Sequence, residues 1–194
     1  MPNWCNNTVE IYHTDPTMIE RVRTAFKDAR LLDEFIPVPK DLHIVAGCVG
    51  EKGSPEQIAL EAQEKANLET HGYSNWYDYC VNEWGTKWDV GGDDYEPAQD
   101  IPGGLMLCFD SAWSPPVNAY EKLVELGFSI RAMYYEPGMA FAGIWEDGDD
   151  QFYEYGGMTS EIIIESLPEV LDEAFGISES VAEWEEENKE EEQQ

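Results

Sequence analysis

An α+β domain is what this sequence predicts, and three observations carry the prediction. Short stretches of alternating apolar and polar residues are separated by stretches with apolar residues at helical spacing. Proline, glycine, Asp and Asn fall between them, where caps and turns need those residue types. Hydrophobic residues make up 42% of the 194 and aromatics 12%, with seven Trp and ten Tyr, which is enough large apolar surface for a packed core.

Thr8–His13 alternates and reads as the first strand. Asp15 and Pro16 mark a helix start, Asp as N-cap and Pro at the first helical position. Ile19, Val22, Ala25 and Phe26 give that helix an apolar face, and it is expected to end near Ala29. Leu32–Ile36 reads as a short strand stopped by Pro37 and Pro39. Residues 40–100 read as a helical insertion. In it Ser54-Pro55 starts a helix through Leu68, Ser74-Asn75 caps another through Glu83, and Gly85, Gly91 and Gly92 break regularity. Leu105–Phe109 reads as a strand buried on both faces. Pro115-Pro116 opens a helix that Gly127 closes. Phe128–Tyr135 and Ala140–Trp145 read as strands, and Asp147-Gly148 as a hairpin turn into Gln151–Tyr155. Residues 159–175 read as helix interrupted at Pro168. The order fits a ferredoxin-like β-α-β-β-α-β sheet over residues 1–176, with the helical insertion and extra C-terminal strands and helix. Residues 177–194 read as an acidic tail, disordered or a frayed helix.

Charge narrows the function classes. Eleven Lys and Arg face 41 Asp and Glu, a net −30. Residues 176–194 hold eight acids against Lys189, a net −7, which leaves −23 on the other 175 residues. Such a field repels phosphate backbones, so direct nucleic-acid binding is not expected. It attracts basic surfaces, including those of DNA-binding proteins. No apolar run reaches the roughly 18 residues of a membrane span, and the N-terminus lacks the basic and apolar parts of a signal peptide. The expected setting is cytoplasmic. Cys5, Cys48, Cys80 and Cys108 are far apart and lack the short spacings of metal clusters, so no metal or cofactor is expected.

Several motifs stand out together: Met1-Pro2-Asn3-Trp4-Cys5-Asn6-Asn7, Trp84-Gly85-Thr86-Lys87-Trp88-Asp89, Ser111-Ala112-Trp113-Ser114-Pro115-Pro116, Tyr135-Glu136-Pro137-Gly138 and Phe141-Ala142-Gly143. In this order they resemble the YubB/Api-like ferredoxin-like domain family of plasmids, genomic islands and phages. The resemblance spans roughly residues 1–155. It implies a fold and a mobile-element, bacterial-host setting, and no mechanism. The chain departs from the family pattern at Glu83, where an Asn would precede the Trp.

Two groups of residues are candidates for binding. Trp84, Lys87, Trp88, Asp89, Trp113 and Ser114 offer apolar walls, one cation and polar groups for a cleft, which Tyr135 and Glu136 are expected to join. Their structural reading is a plug between insertion and sheet. Asp93, Asp94, Glu96, Asp100, Asp147, Asp149, Asp150, Glu185, Glu186 and Glu187 form the candidate acidic surface, whose plainer reading is solvated turns and tail. Neither acidic stretch has the order of a calcium loop. His13, His43 and His71 stand apart, and a lysine with two acids is weak support for acid–base catalysis. The expected function is a non-enzymatic interaction protein that binds a basic host partner, with a DNA-mimic or anti-defence role. The alternative is a small-ligand or enzymatic site in the Trp/Lys/Asp cleft.

Overall fold

The structure, a computed structural model, describes residues 3–191. Met1 and Pro2 of the first motif and residues 192–194 of the acidic tail lie outside the described residues. Strand β1 (Trp4–Tyr12) occupies the centre of the sheet. It pairs antiparallel with β3 (Gly104–Ala112) on one side and β4 (Ser129–Glu136) on the other. A short β2 (Gln99–Ile101) edges β3, and β5 (Phe141–Glu146) and β6 (Asp149–Glu154) extend the sheet beyond β4. The order is β2-β3-β1-β4-β5-β6, and every neighbouring pair is antiparallel.

Alternation along β1 decides which face is buried. Cys5, Asn7, Val9 and Ile11 point into the larger core, where β3 contributes Leu105, Leu107 and Phe109 and β4 contributes Ile130, Ala132 and Tyr134. Helix α1 (Pro16–Lys27) covers this face with Val22, Ala25 and Phe26, and α5 (Val117–Glu125) covers it with Ala119, Tyr120 and Leu123. Asp15 caps α1 by accepting from Thr17 N at 2.8 Å, as the Asp-Pro pair predicts. Contrary to the two-sided burial expected of it, β3 alternates. Met106, Cys108 and Asp110 are only partly covered, because among the described residues no helix packs over that part of the second face.

Leu31–Phe35 is a helix, α2, and not the strand expected over Leu32–Ile36. A five-residue apolar run does not distinguish the two by periodicity. Here the choice is made from outside the segment, because the Asp89 carboxylate accepts from Leu32 N and Asp33 N at 2.7 and 2.8 Å and caps a helical turn. The insertion then runs through a 3-10 turn at Lys40–Leu42, α3 (Pro55–His71) and α4 (Trp76–Glu83). Ser54 and Asn75 cap the two helices as predicted. The return to β2 presses against the end of α1. Gly91, at φ +103°, lies so close that a Cβ there would sit 2.1 Å from the Phe26 carbonyl oxygen.

A second core lies on the opposite face of β4 and β5. It collects Ala142, Ile144, Tyr155, Ile163, Leu167, Leu171 and Ile177 from the sheet and from α6 (Ser160–Ser166), α7 (Glu169–Phe175) and α8 (Ile177–Glu191). The break at Pro168 separates α6 from α7. The acidic tail expected from residue 177 therefore begins inside a core. Ile177 is fully buried, Val181 packs against it, and Glu185 accepts from Ser160 N and Oγ at 3.2 and 3.1 Å. No helix among the described residues is long and apolar enough to cross a membrane.

Truncating Ile177 to Ala is expected to cost about 2–4 kcal/mol, the range for buried large-to-small changes. Glu186→Gln on the same helix should stay within about 0.5 kcal/mol. Urea unfolding midpoints compare the two; equal effects would mean that α8 does not belong to the core.

Candidate functional site

The first three motifs meet at one end of the sheet. Trp4 pairs with Ala112 across the β1–β3 ladder, and Trp113 N donates to Asn3 O at 2.9 Å. The 84–89 segment docks onto the same end. Thr86 Oγ1 donates to Ala112 O and accepts from Ala112 N, both at 3.0 Å, and Ser114 Oγ donates to Gly85 O at 2.6 Å. Gly85, at φ +83°, packs where a Cβ would lie 3.3 Å from the Val117 and Asn118 nitrogens at the start of α5. Beneath this junction Asn7 Nδ2 donates to Ser111 Oγ and Cys5 O, and Ser111 Oγ donates to Ser114 O at 2.7 Å. Glu83, where the motif resemblance would place an Asn, pairs with Lys122 and accepts from Tyr73 OH, so it holds α4 against α5.

Trp84, Lys87, Trp88 and Asp89 do line one cleft, of about 250 Å³, together with Trp76 and His43. Trp84 is buried and its indole N–H donates to Ile36 O at 2.9 Å, so it is a wall. Lys87 Nζ lies 4.4 Å from the Trp88 ring centre, 5.4 Å from that of Trp113 and 5.6 Å from that of Tyr77. Cation–π attraction thus holds the ammonium among three rings. Trp4, Tyr77, Trp88 and Trp113 are all well exposed around it. Trp113 is at φ +70°, a conformation costly for a bulky side chain, and its bond to Asn3 helps to keep it there.

Asp89 has another occupation. Its carboxylate accepts from Leu32 N, Asp33 N and Val90 N, which ties the insertion to α2. Burial outweighs these donors and pushes its pKa from 3.8 up to about 6. Burial, with help from Asp89 and Asp33, also pushes the nearby Cys80 thiol up to about 12, so it remains a thiol at neutral pH. Ser114 and Trp113 border a different depression beside β5 and β6. Tyr135 and Glu136 do not join the cleft. Tyr135 faces the second core, stacked on Tyr155 and Phe175, and Glu136 is buried and accepts from Gly138 N and Met139 N. The two residues alternate across β4, so they point to opposite sides of the sheet.

The acidic candidates fall in separate places. Asp147 accepts from Ile130 N and Ser129 Oγ, Asp150 from Tyr134 OH, and Asp149 from Gln151 Nε2. Asp100 lies in β2, where Arg23 pairs with it at 2.5 Å. Glu185 caps α6, and Glu186 and Glu187 are exposed on α8. Asp93, Asp94 and Glu96 behave differently. Their carboxylates accept no hydrogen bond and meet no cation within ion-pair distance among the described residues. They rim a groove of about 450 Å³ on the uncovered half of the second sheet face, with Tyr95, Cys108 and Asp110. Among the described residues no Lys or Arg lines that groove. Arg23 and Lys27 line a second pocket that Asp93 and Glu96 also border, without reaching ion-pair distance of either acid. Sequence reasoning missed Asp110 because it ended the strand at Phe109, one residue short of it, and read that strand as buried on both faces. The legible signal was an acid in a strand otherwise rich in apolar residues.

No protein-family model and no curated protein matches the chain. Among solved structures it is similar to the crystal structure of the protein Api92 from Yersinia pseudotuberculosis, of family DUF1281. The identity is 14% and the TM-score 0.41, over 81% of this chain and 99% of that one.

The raised pKa of Asp89 fixes a sign. Between about pH 4 and 6 the folded chain holds a proton there that the unfolded chain releases, so this group's contribution to stability falls as pH rises through that window. Asp89→Asn removes the titration but also removes an acceptor oxygen from the α2 cap. Relative to the parent, the variant should therefore gain stability on going from pH 4 to pH 7, by at most roughly 3 kcal/mol at 1.36 kcal/mol per pKa unit. Urea midpoints of both proteins across that range test it; a constant difference would contradict it.

Proposed function

We propose that this chain is a non-enzymatic interaction protein that engages a cationic macromolecule through the acidic groove on the uncovered half of its second sheet face. The observation that carries the reading is the set of unpaired carboxylates of Asp93, Asp94 and Glu96 beside Asp110, whose carboxylate accepts from Asn6 Nδ2, in a groove that no Lys or Arg lines among the described residues. Like charges held near one another without a direct ion pair favour an incoming cation and repel a phosphate backbone. In this reading the partner is a basic host protein in a bacterial cytoplasm, and the mobile-element setting is the one the motif resemblance implies. A DNA-mimic form requires acids strung along a line. Because Asp100, Asp147, Asp150 and Glu185 are engaged locally, the weight falls on the groove and not on the whole acidic surface.

The same reading takes β1, α1, β2, β3, α5 and β4 as a ferredoxin-like unit, with β5 and β6 added beyond β4. What supports it is the strand order, with β1 between β3 and β4 and a helix linking each split pair. A second functional reading, a small-ligand site in the Trp84–Asp89 cleft, is favoured by its aromatic walls. It is opposed by the engagement of Asp89 with three backbone N–H groups.

Affinity capture from a bacterial lysate at about 0.05 M and 0.5 M salt tests the first reading, since the screening length shortens from well above 10 Å to a few Å. A triple variant, Asp93→Asn with Asp94→Asn and Asp110→Asn, should keep its fold and weaken capture of the basic partner roughly tenfold, at about 0.2–1 kcal/mol per exposed pair. Capture indifferent to both salt and the variant would remove the reading.

A further inference from the structure

The sheet ends in an open edge, and its surroundings define what fits there. Strand β6 pairs with β5 alone, in an unbroken register from Glu146 opposite Asp149 to Phe141 opposite Glu154. Tyr155 N donates to Ala140 O at 2.9 Å just beyond the strand. Antiparallel ladders alternate between bonded and non-bonded pairs. Counting back from Tyr155, the backbone N–H and C=O groups of Asp150, Phe152 and Glu154 point away from β5. The edge carries no proline and no bulge, two of the devices that usually block edge pairing.

The side chains of these same three residues share one face with Phe141, and Asp150 and Phe152 line an apolar groove of about 480 Å³ there. Val81, Trp113, Phe141 and Phe152 line it, with Phe152 half exposed and its ring centre 5.3 Å from that of Phe141. Asp150 stands at the groove; the Tyr134 hydroxyl donates to its Oδ1 at 2.7 Å, and its Oδ2, with no donor among the described residues, is the oxygen left for an incoming cation. An incoming strand would therefore meet a repeating pattern on this face: acid, aromatic, acid.

We infer that the β6 edge is a docking site for an extended basic segment of a partner protein, which adds to the sheet as an antiparallel strand. The residue opposite Phe152 is apolar and reaches the groove, and those opposite Asp150 and Glu154 are Lys or Arg. Charge selects this occupant over a second copy of the chain. Two β6 strands paired symmetrically about Phe152 would set Asp150 of each against Glu154 of the other, and like charges directly opposite destabilise a ladder. The site is distinct from the acidic groove on the second face and does not depend on it.

The probe is a fluorescently labelled, end-blocked peptide of sequence Thr-Lys-Thr-Phe-Thr-Lys-Thr, measured by anisotropy against the full chain. Binding is expected in the range of about 1–100 µM. N-methylation at the peptide's Phe removes a pairing donor without altering the protein and should weaken binding at least tenfold. Phe152→Pro, which removes an outward N–H, and Glu154→Lys should each do the same. The triple variant at Asp93, Asp94 and Asp110 should leave peptide affinity unchanged. No binding at 1 mM, or equal binding of the N-methylated peptide, overturns the inference. Loss of binding in the triple variant with none in Phe152→Pro would assign the peptide to the acidic groove, which overturns the edge site and leaves the proposed function standing. Sedimentation that finds a dimer, abolished by Glu154→Lys, would assign the edge to a second copy and overturn the stated occupant.

Discussion

The docking of Gly85 and Thr86 onto the end of β3 is the contact on which the candidate surfaces depend. Two side-chain hydroxyls, Thr86 and Ser114, satisfy backbone groups on facing segments, and neither segment is part of the other's ladder. Buried backbone groups at the end of a strand need partners, and these hydroxyls provide them. The consequence is geometric. A helical excursion of some sixty residues is pinned at its far end, and Lys87, Trp88 and Asp89 follow from that pin at fixed places. Lys87 turns outward among Trp88, Trp113 and Tyr77, and Trp88 lies beside Trp4, while Asp89 turns inward to α2. One short motif therefore both closes the core and supplies an exposed aromatic surface.

The uneven covering of the sheet explains where charge is left available. The first face is covered by α1, α5 and the insertion. The second is covered by α6 to α8 only over β4 and β5, which leaves β3 and part of β1 open. An acid facing covered sheet must find a donor, as Glu136 does with the Gly138 and Met139 nitrogens. On the uncovered half water can serve instead: Asp110 accepts from Asn6 Nδ2, while Asp93, Asp94 and Glu96 have no side-chain or backbone donor among the described residues. The net charge of the chain is thus a poor guide to which acids are available. Their position relative to the helical layers decides it.

Much of the architecture was legible in the residues. Asp15-Pro16, Ser54-Pro55 and Asn75 marked helix starts that the structure contains, because capping is a contact within a few residues. The Asp147-Gly148 turn, the break at Pro168 and the cleft grouping of Trp84, Lys87, Trp88 and Asp89 were legible for the same local reason. The failures share a different cause. Leu31–Phe35 became a helix through a carboxylate 56 to 57 positions away. Tyr135 and Glu136 were grouped with the cleft by their proximity in a motif, although strand alternation sends them to opposite faces. Ile177 looked like the start of a free tail because nothing nearby in sequence shows the core that receives it.

By itself the sequence determined the α+β class, most element boundaries and the strong negative charge, since these follow from local sterics, hydrophobic period and composition. Only the tertiary structure decided the strand order, the half of the sheet left bare, and which acids remain without partners. Those outcomes come from contacts between segments far apart in the chain, and their energies are set by how layers pack and not by any one segment's preference.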